Sequence, residues 1–389
     1  MTEPATHEPE HVVMLRETLR RFLDKEATHA RCREWDQTDR LPPETLDRLA
    51  DLGVMSLTVP EEYGGTGRDI PATMAVIEEL AARSLALCSG YIMAACYAGM
   101  NLVELGSEEQ KRALLPRVAA GKLLFAYGIT EPDVGADVAS VRTTAERRGD
   151  EVVINGSKRF CSGAAASHFI YTVVRSGPAA ERHKNLSIVL VPPDTPGVSL
   201  VPQDTLGLRG LPPCDVTFED VRVPISNIVG GPDGWNRGWE QLVGPGLDVE
   251  RLEVATMALG IARAAVDDAW TYAQERKQFG KPIGSLQAIR HVLADVKTRL
   301  AACRLMVHHA AQLVNHRAPA AVETAMAKLF VCDTAVEIVL ACQKIMGAYG
   351  YVAEFAMERR VRDVLAMPIL GGSSAIQKNN IANRLGLPR

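Results

Sequence analysis

The spacing of hydrophobic positions changes twice along the 389-residue chain. In the first stretch apolar residues recur at helical intervals. Leu114, Leu115, Val118 and Ala119 follow Ser107-Glu108-Glu109-Gln110, which has the form of a helix capping box. Residues 84–103 carry no charge and are long enough to cross a bilayer. That run also holds Ser89, Gly90, Tyr91, Tyr97, Gly99 and Asn101, so it reads as helices buried between protein layers. From about residue 123 the pattern shortens to that of strands. Glu151-Val152-Val153-Ile154 meets Asn155-Gly156, a dipeptide that favours a two-residue hairpin turn, and a hairpin is expected there. Runs at 168–174, 186–191, 198–201 and 216–223 are further strands between Pro/Gly turns. Antiparallel strands without intervening helices predict a small barrel or sandwich. From about residue 235 long helical periodicity returns at 247–275, 286–315 and 320–346, with Pro319 just ahead of the third run. The expected fold class is α+β: an N-terminal helical domain over 1–122, a middle β-barrel or sandwich over 123–232, and a C-terminal four-helix bundle over 233–389.

Composition narrows the function classes. Hydrophobic content of 47% with 23% charged residues is that of a folded globular chain. The formal net charge of −4 supplies no global basic field for nucleic acid or anionic membranes, so no nucleic-acid partner and no membrane span are expected. The acidic, polar residues Met1 to Glu10 resemble neither a secretory signal nor an Arg-rich transit peptide, and a cytoplasmic location is expected. Eight cysteines without a CxxC read as buried thiols in a reducing compartment. Nine histidines show no HExxH, and the adjacent His308 and His309 would point about 100° apart on a helix, so no metal site is expected.

Some local patterns are decoys. Gly64-Gly65-Thr66-Gly67 resembles a phosphate loop but no strand precedes it in a βαβ unit. Ser162-Gly163 and Ser373-Ser374 lack the GxSxG elbow of serine hydrolases. The segment from Tyr127 to Ser140 is more informative. It gathers turn-formers and hydroxyls where the β region begins, and it reads either as a surface turn or as a loop whose N–H groups and Thr130 hydroxyl hold the edge of a polar heterocycle.

Several motifs, in order, resemble the acyl-CoA dehydrogenase family over essentially the whole chain. They are the loop 59–67, the TEPxxGxD loop Thr130 to Asp137, and Asn155-Gly156-Ser157-Lys158-Arg159-Phe160-Cys161-Ser162-Gly163. Further along come Phe218 to Pro224, Glu275 to Ile283, Met346 to Tyr351, and Gly371-Gly372-Ser373-Ser374-Ala375-Ile376-Gln377. The resemblance implies FAD, usually in a homotetramer. It implies that Tyr127, Ile129 and Thr130, with Phe160, Cys161 and Ser162, face the isoalloxazine, and that Ser373 and Ser374 touch it. It implies that Arg276, Phe279, Gln287, Gly347 and Ala348 receive the pyrophosphate and adenosine of a neighbouring subunit's FAD. A guanidinium fork suits a diphosphate, although Arg276 in the run Glu275-Arg276-Lys277 reads equally as a surface charge without the resemblance.

Members of the family take the α-proton of an acyl thioester with a glutamate, while hydride leaves the β-carbon for the flavin. In many members that glutamate stands where this chain has Gly371. The isovaleryl-type and long-chain-type members use a second position, and there this chain has Glu250, in Gly246-Leu247-Asp248-Val249-Glu250-Arg251-Leu252. Val254, Met257 and Ile261 follow at i+4, i+7 and i+11, so Glu250 heads an apolar stripe that would desolvate it and raise its pKa. Read from the residues alone, Glu250 could instead face water at a helix N-terminus. Glu253 is the fallback base. The resemblance implies that the Gly371 N–H polarises the thioester carbonyl, and that Ala136, Asp248, Arg251 and Gly372 contact the thioester arm. Ala136, Phe160, Lys344 and Ala375 depart from the residues usual in the family. The expected activity is α,β-dehydrogenation of a short or branched acyl thioester, on CoA or an acyl-carrier protein, with an electron-transfer flavoprotein or similar acceptor. The reverse enoyl reduction, a flavin oxidase or monooxygenase on the same fold, and a non-catalytic flavoprotein subunit are the alternatives.

Overall fold

The computed structural model describes residues 8–243 and 245–388. The N-terminal region is helical: α1 (Glu10–Glu26), α2 (His29–Thr38), α3 (Pro43–Ala50), α4 (Ile70–Arg83), α5 (Leu85–Tyr91), α6 (Asn101–Leu105) and α7 (Glu108–Ala119). Local chemistry sets several of the starts. Thr28 caps α2, Asp69 caps α4 by accepting from the Ala72 N–H, and Ser107 with Gln110 closes the capping box of α7 reciprocally. Between α5 and α6 the chain widens into a π-helical segment, Ile92–Met100. Together these cover Leu85–Leu105, the one stretch among the described residues long and apolar enough to cross a membrane, and it is mostly buried inside the protein. All eight cysteines are buried and unbridged.

The middle region is a seven-stranded sheet built from β1 (Phe125–Gly128), β2 (Thr144–Arg148), β3 (Glu151–Ser162), β4 (Phe169–Arg175), β5 (Leu186–Val191), β6 (Val198–Pro202) and β7 (Pro213–Pro224). One sub-sheet is β1–β4–β5 and the other β2–β3–β7–β6, joined where Thr144 meets Arg175. Two expectations need correction. The strands are not all antiparallel: β1 and β2 each pair parallel to β4, because the β2–β3 excursion lets the chain re-enter in the direction of β1. The hairpin turn is not at Asn155-Gly156 either. Arg148 faces Glu151 across a turn at Gly149-Asp150, and Gly149 takes φ +64°. Asn155-Gly156 lies inside β3, where the register against β7 slips between Ile154 and Gly156. A Cβ on Gly156, at φ +142°, would stand 2.6 Å from Thr143 Cα. The glycine answers a close backbone approach rather than a turn.

The chain then forms α8 (Gly238–Leu242), α9 (Pro245–Glu275), the short hairpin β8 (Lys277–Gln278) and β9 (Lys281–Pro282), α10 (Gln287–Asn315), α11 (Ala321–Met346), α12 (Met357–Val364) and α13 (Ser374–Arg384). α9 packs on α11, α10 and α4, so the two helical regions share a core into which the middle sheet also runs. A buried ion network ties the first helix to this joint. Arg16 donates to Glu78 and Glu79 at 2.9 and 3.0 Å, and Arg263 of α9 reaches Glu79 at 3.0 Å.

Candidate functional site

Glu250 stands on the second turn of α9, above Val254, Met257 and Ile261, which are 6%, 6% and 1% exposed. It is itself half-buried. Loss of hydration beside that apolar stripe pushes its carboxyl up to about 7, although Arg251 and Lys328 pull the other way. The loop before α13 faces it. Gly371, at φ +59°, would place a Cβ 3.9 Å from Glu250 Cγ and 3.1 Å from Val254 Cγ2. The two sequence-predicted positions for a base, 250 and 371, therefore look onto the same space.

That loop is fixed from behind by Gln377 and Asp333, to which the sequence reading gave no role, and by Ser373 and Ser374, expected at the flavin. Buried Gln377 donates to the carbonyls of both Gly371 and Gly372 at 3.0 Å, and the Ser374 hydroxyl donates to Asp333 of α11 at 2.6 Å. Ser373 caps α13, accepting from the Ile376 N–H at 3.4 Å. Asp248 and Arg251 pair on α9 at 2.9 Å, with the guanidinium buried and its Nε unpartnered among the described residues.

On the opposite side the π-helical segment brings Tyr97 against Tyr127 of β1, with ring centroids 3.7 Å apart, and Asn101 donates to the Tyr127 hydroxyl at 2.6 Å. Burial raises both phenols well above their usual range, and Glu250 adds to the effect. Glu253, one turn below Glu250, is buried against Cys96, and burial first and then the Glu250 charge push its carboxyl well above its ordinary value.

The two middle-region motifs meet as one unit. The Arg159 N–H donates to the Thr130 carbonyl at 2.8 Å. Beneath them Lys158, wholly buried, donates to the Ile129 carbonyl at 3.1 Å and to Glu131 at 2.8 Å. Glu131 also accepts from the Arg142 and Thr143 N–H groups at 2.7 and 2.9 Å. Burial works to raise the Glu131 carboxyl, but Lys158 and these donors hold it below its ordinary value. Phe160, at φ +60°, turns out to solvent at 58% exposure, and Ser162 is exposed. Cys161 differs from its expectation: its side chain is buried opposite Cys214 in the sheet, because it lies between two outward residues, and only its backbone can face the open side. Ala136 lies exposed in the same loop region.

The remaining predicted residues form a separate, exposed group at the other end of α9. Arg276 lies over the Tyr349 ring, 5.5 Å from its centroid, beside Gly347 and Ala348. Phe279, at the tip of the β8–β9 hairpin, is 90% exposed, and Gln287 opens α10. No contact joins this group to Glu250 among the described residues.

Sequence reasoning assigned nothing to Lys158, Lys328, Tyr97 or Gln377. Lys328 carried a readable signal, a lone cation on the apolar face of α11 between Thr324 and Cys332. The others are recognisable only once the chain is folded.

Comparison with known proteins gives matches over nearly the whole chain. Residues 9–122, 126–221 and 236–386 match the acyl-CoA dehydrogenase N-terminal, middle and C-terminal domains. A probable acyl-CoA dehydrogenase of Bacillus subtilis is 38% identical, covering 96% of this chain and 97% of its own. A 3-(aryl)acrylate reductase of Clostridium sporogenes is 35% identical over 96% of this chain and 97% of its own. Butyryl-CoA dehydrogenase of Megasphaera elsdenii superposes with a TM-score of 0.92 at 28% identity, covering 99% of this chain and all of its own.

Proposed function

Because the chain belongs to the acyl-CoA dehydrogenase family, whose members oxidise or reduce CH–CH bonds, we propose that it interconverts an acyl thioester and its α,β-unsaturated counterpart, with Glu250 as the group that takes or returns the α-proton. The observation that carries this reading is the pairing of a carboxyl poised near 7 with a glycine at the facing position. A Glu side chain at 371 would compete for the space of Glu250, so one base is expected, and in this chain it is Glu250.

The chemistry of the β-lobe fits a flavin. The Thr130 hydroxyl and the exposed Ser162 hydroxyl bond to no other described residue, and the solvent-exposed Phe160 ring, with the Arg159 guanidinium 5.1 Å over it, lies on the same strand as Ser162, a combination that suits a planar ring with a polar edge. FAD bound there would supply the acceptor, or donor, for the β-hydride. Thr130, Ser162 and the backbone of Ile129 and Cys161 would hold its ring edge, while Ser373 and Ser374 would close it from the α13 side. The chain's own groups do the rest. The apolar stripe keeps Glu250 dry enough to accept a carbon-bound proton near neutral pH. The Gly371 N–H can donate to a thioester carbonyl as negative charge develops on it. Asp248, Arg251, Ala136 and Gly372 are assigned to the thioester arm, whether CoA or a carrier protein's.

Arg276, Phe279, Gln287, Gly347 and Ala348 are assigned to the diphosphate and adenosine of a neighbouring subunit's FAD, in a homotetramer. Their exposure far from Glu250 supports that assignment. An electron-transfer flavoprotein is the proposed redox partner. A structure described as electron-transferring flavoprotein of Acidaminococcus fermentans resembles this chain at a TM-score of 0.92, and a curated relative is a subunit of a caffeyl-CoA reductase–Etf complex. The test is anaerobic titration of the purified flavoprotein with short, branched, medium and aryl acyl-CoAs. Bleaching of the visible flavin band by one class supports the reading. A protein that binds no flavin would overturn it.

A further inference from the structure

α9 and α11 run side by side in the same direction. Arg276 near the end of one stacks on Tyr349 just past the end of the other, and one turn beyond Glu250 the Cys332 thiol approaches the Val254 carbonyl at 3.9 Å. This register sets Lys328, one turn before Cys332, level with Glu250. The Lys328 side chain is wholly buried, and its Nζ has no hydrogen-bond acceptor among the described residues. An ammonium in that state is costly and is kept only where its charge serves something else.

We propose that Lys328 is a positioning residue for the Glu250 base, a buried counter-charge that lets the carboxylate exist inside an apolar site. The inference rests on the reading of Glu250 given above. Arg251 is the other cation that draws the Glu250 carboxyl down, and the remaining groups facing it supply no unscreened positive charge. On α9, Arg251 is already paired with Asp248 at 2.9 Å, which leaves Lys328 as the buried cation with no partner of its own among the described residues. Glu253 is an acid whose carboxyl burial pushes well above its ordinary value. On α11, Asp333 accepts from Ser374, and the Cys332 thiol is pushed up to about 12 by burial. On α13, Arg384 is exposed to screening solvent. The π-helical segment and β1 contribute only the phenols of Tyr97 and Tyr127, both held protonated. Burial lowers the Lys328 amine, while Cys332, Asp333 and Glu250 draw it back toward the charged form.

Lys328→Met in the flavin-loaded protein tests this. The infrared carboxyl band of protonated Glu250, assigned by its loss in Glu250→Gln, is followed against pH. Removing a facing cation raises a carboxyl, so its midpoint should move up from near 7 by about one unit. The acid limb of substrate-driven flavin reduction should move with it, a loss of about tenfold near pH 6 that shrinks as pH rises. Thermal stability should rise, because a buried unpaired ion has been replaced by an apolar chain of similar length. Lys328→Arg should restore the midpoint. Lys328→Gln is made alongside, so that a packing failure of one variant leaves the titration measurable in the other. A midpoint that stays put in the neutral variants, or a fall in melting temperature with the midpoint unmoved, overturns the proposal. If Glu250→Gln keeps full activity, the base reading fails instead, and the carboxyl titration still reports whether Lys328 acts on Glu250.

Discussion

Replacing Lys158 with methionine tests whether the loop assigned to the flavin is held by the charge pair beneath it. The wild-type ammonium sits on Glu131 at 2.8 Å, with both side chains buried, and its second bond fixes the Ile129 carbonyl. Removing it leaves a buried carboxylate with only two backbone donors, at Arg142 and Thr143. Breaking one partner of a buried pair costs about 3–5 kcal/mol, and the surviving donors place this case near the lower end, at roughly 3 kcal/mol. At about 2–4 °C per kcal/mol for larger domains, the apoprotein should melt roughly 6–12 °C lower. The freed Ile129–Thr130 segment must then be ordered by the flavin itself, which should raise the flavin dissociation constant on the order of tenfold. Calorimetry of the apoprotein and fluorescence titration with FAD read the two effects. The double variant Lys158→Met/Glu131→Leu should recover most of the melting temperature, since no orphan charge remains, but not the flavin affinity. A single variant that melts within about 1 °C of wild type and binds flavin normally would refute the reasoning, because that shift is too small for a lost buried partner.

Other outcomes follow from the same geometry. In a Glu250→Gln background, Gly371→Glu should restore part of the lost flavin reduction, because its Cβ would stand beside the old carboxylate's Cγ. It should also lower stability by about 1–2 kcal/mol for the left-handed backbone, measured by denaturant melts. Glu250→Gln should be more stable than wild type at high pH. The folded carboxyl holds its proton up to about 7 against the ordinary glutamate value of 4.5, so wild-type stability falls as pH rises between those values, and the difference should grow across that window and level off above it. Arg276→Ala should weaken FAD binding on the order of tenfold, about 1.4 kcal/mol, and make flavin retention depend on protein concentration if a neighbouring subunit supplies that arm.

The sequence carried the layout well because helices and strands declare themselves through spacing. The apolar stripe below Glu250 and the capping box at Ser107 are local patterns, and both are present in the fold. Asn155-Gly156 misled for an instructive reason: a glycine demanded by Thr143, just ahead of β2, looks, in one dimension, like a glycine demanded by a turn. The parallel pairing of β1 with β4 was hidden because nothing in a strand's own pattern names its partner. The facing of Glu250 and Gly371 spans two helical segments far apart in sequence. Motif order placed both residues, but only folding turns them onto the same space, so that a Cβ at 371 would stand 3.9 Å from Glu250 Cγ. Lys158–Glu131 and Gln377 were invisible because a charged or amide residue signals burial only after its partners are known.

The central claim is that Glu250 moves the α-proton of an acyl thioester. The measurement that meets it most directly is the anaerobic rate of flavin bleaching by the best acyl-CoA, in wild type and Glu250→Gln, across pH. The account predicts a wild-type rate that rises with pH through a midpoint near 7 and a glutamine variant that binds flavin and ligand but bleaches about 10²–10⁴ times more slowly, with that limb gone. A Glu250→Gln protein that bleaches at the wild-type rate with the same pH dependence would contradict it.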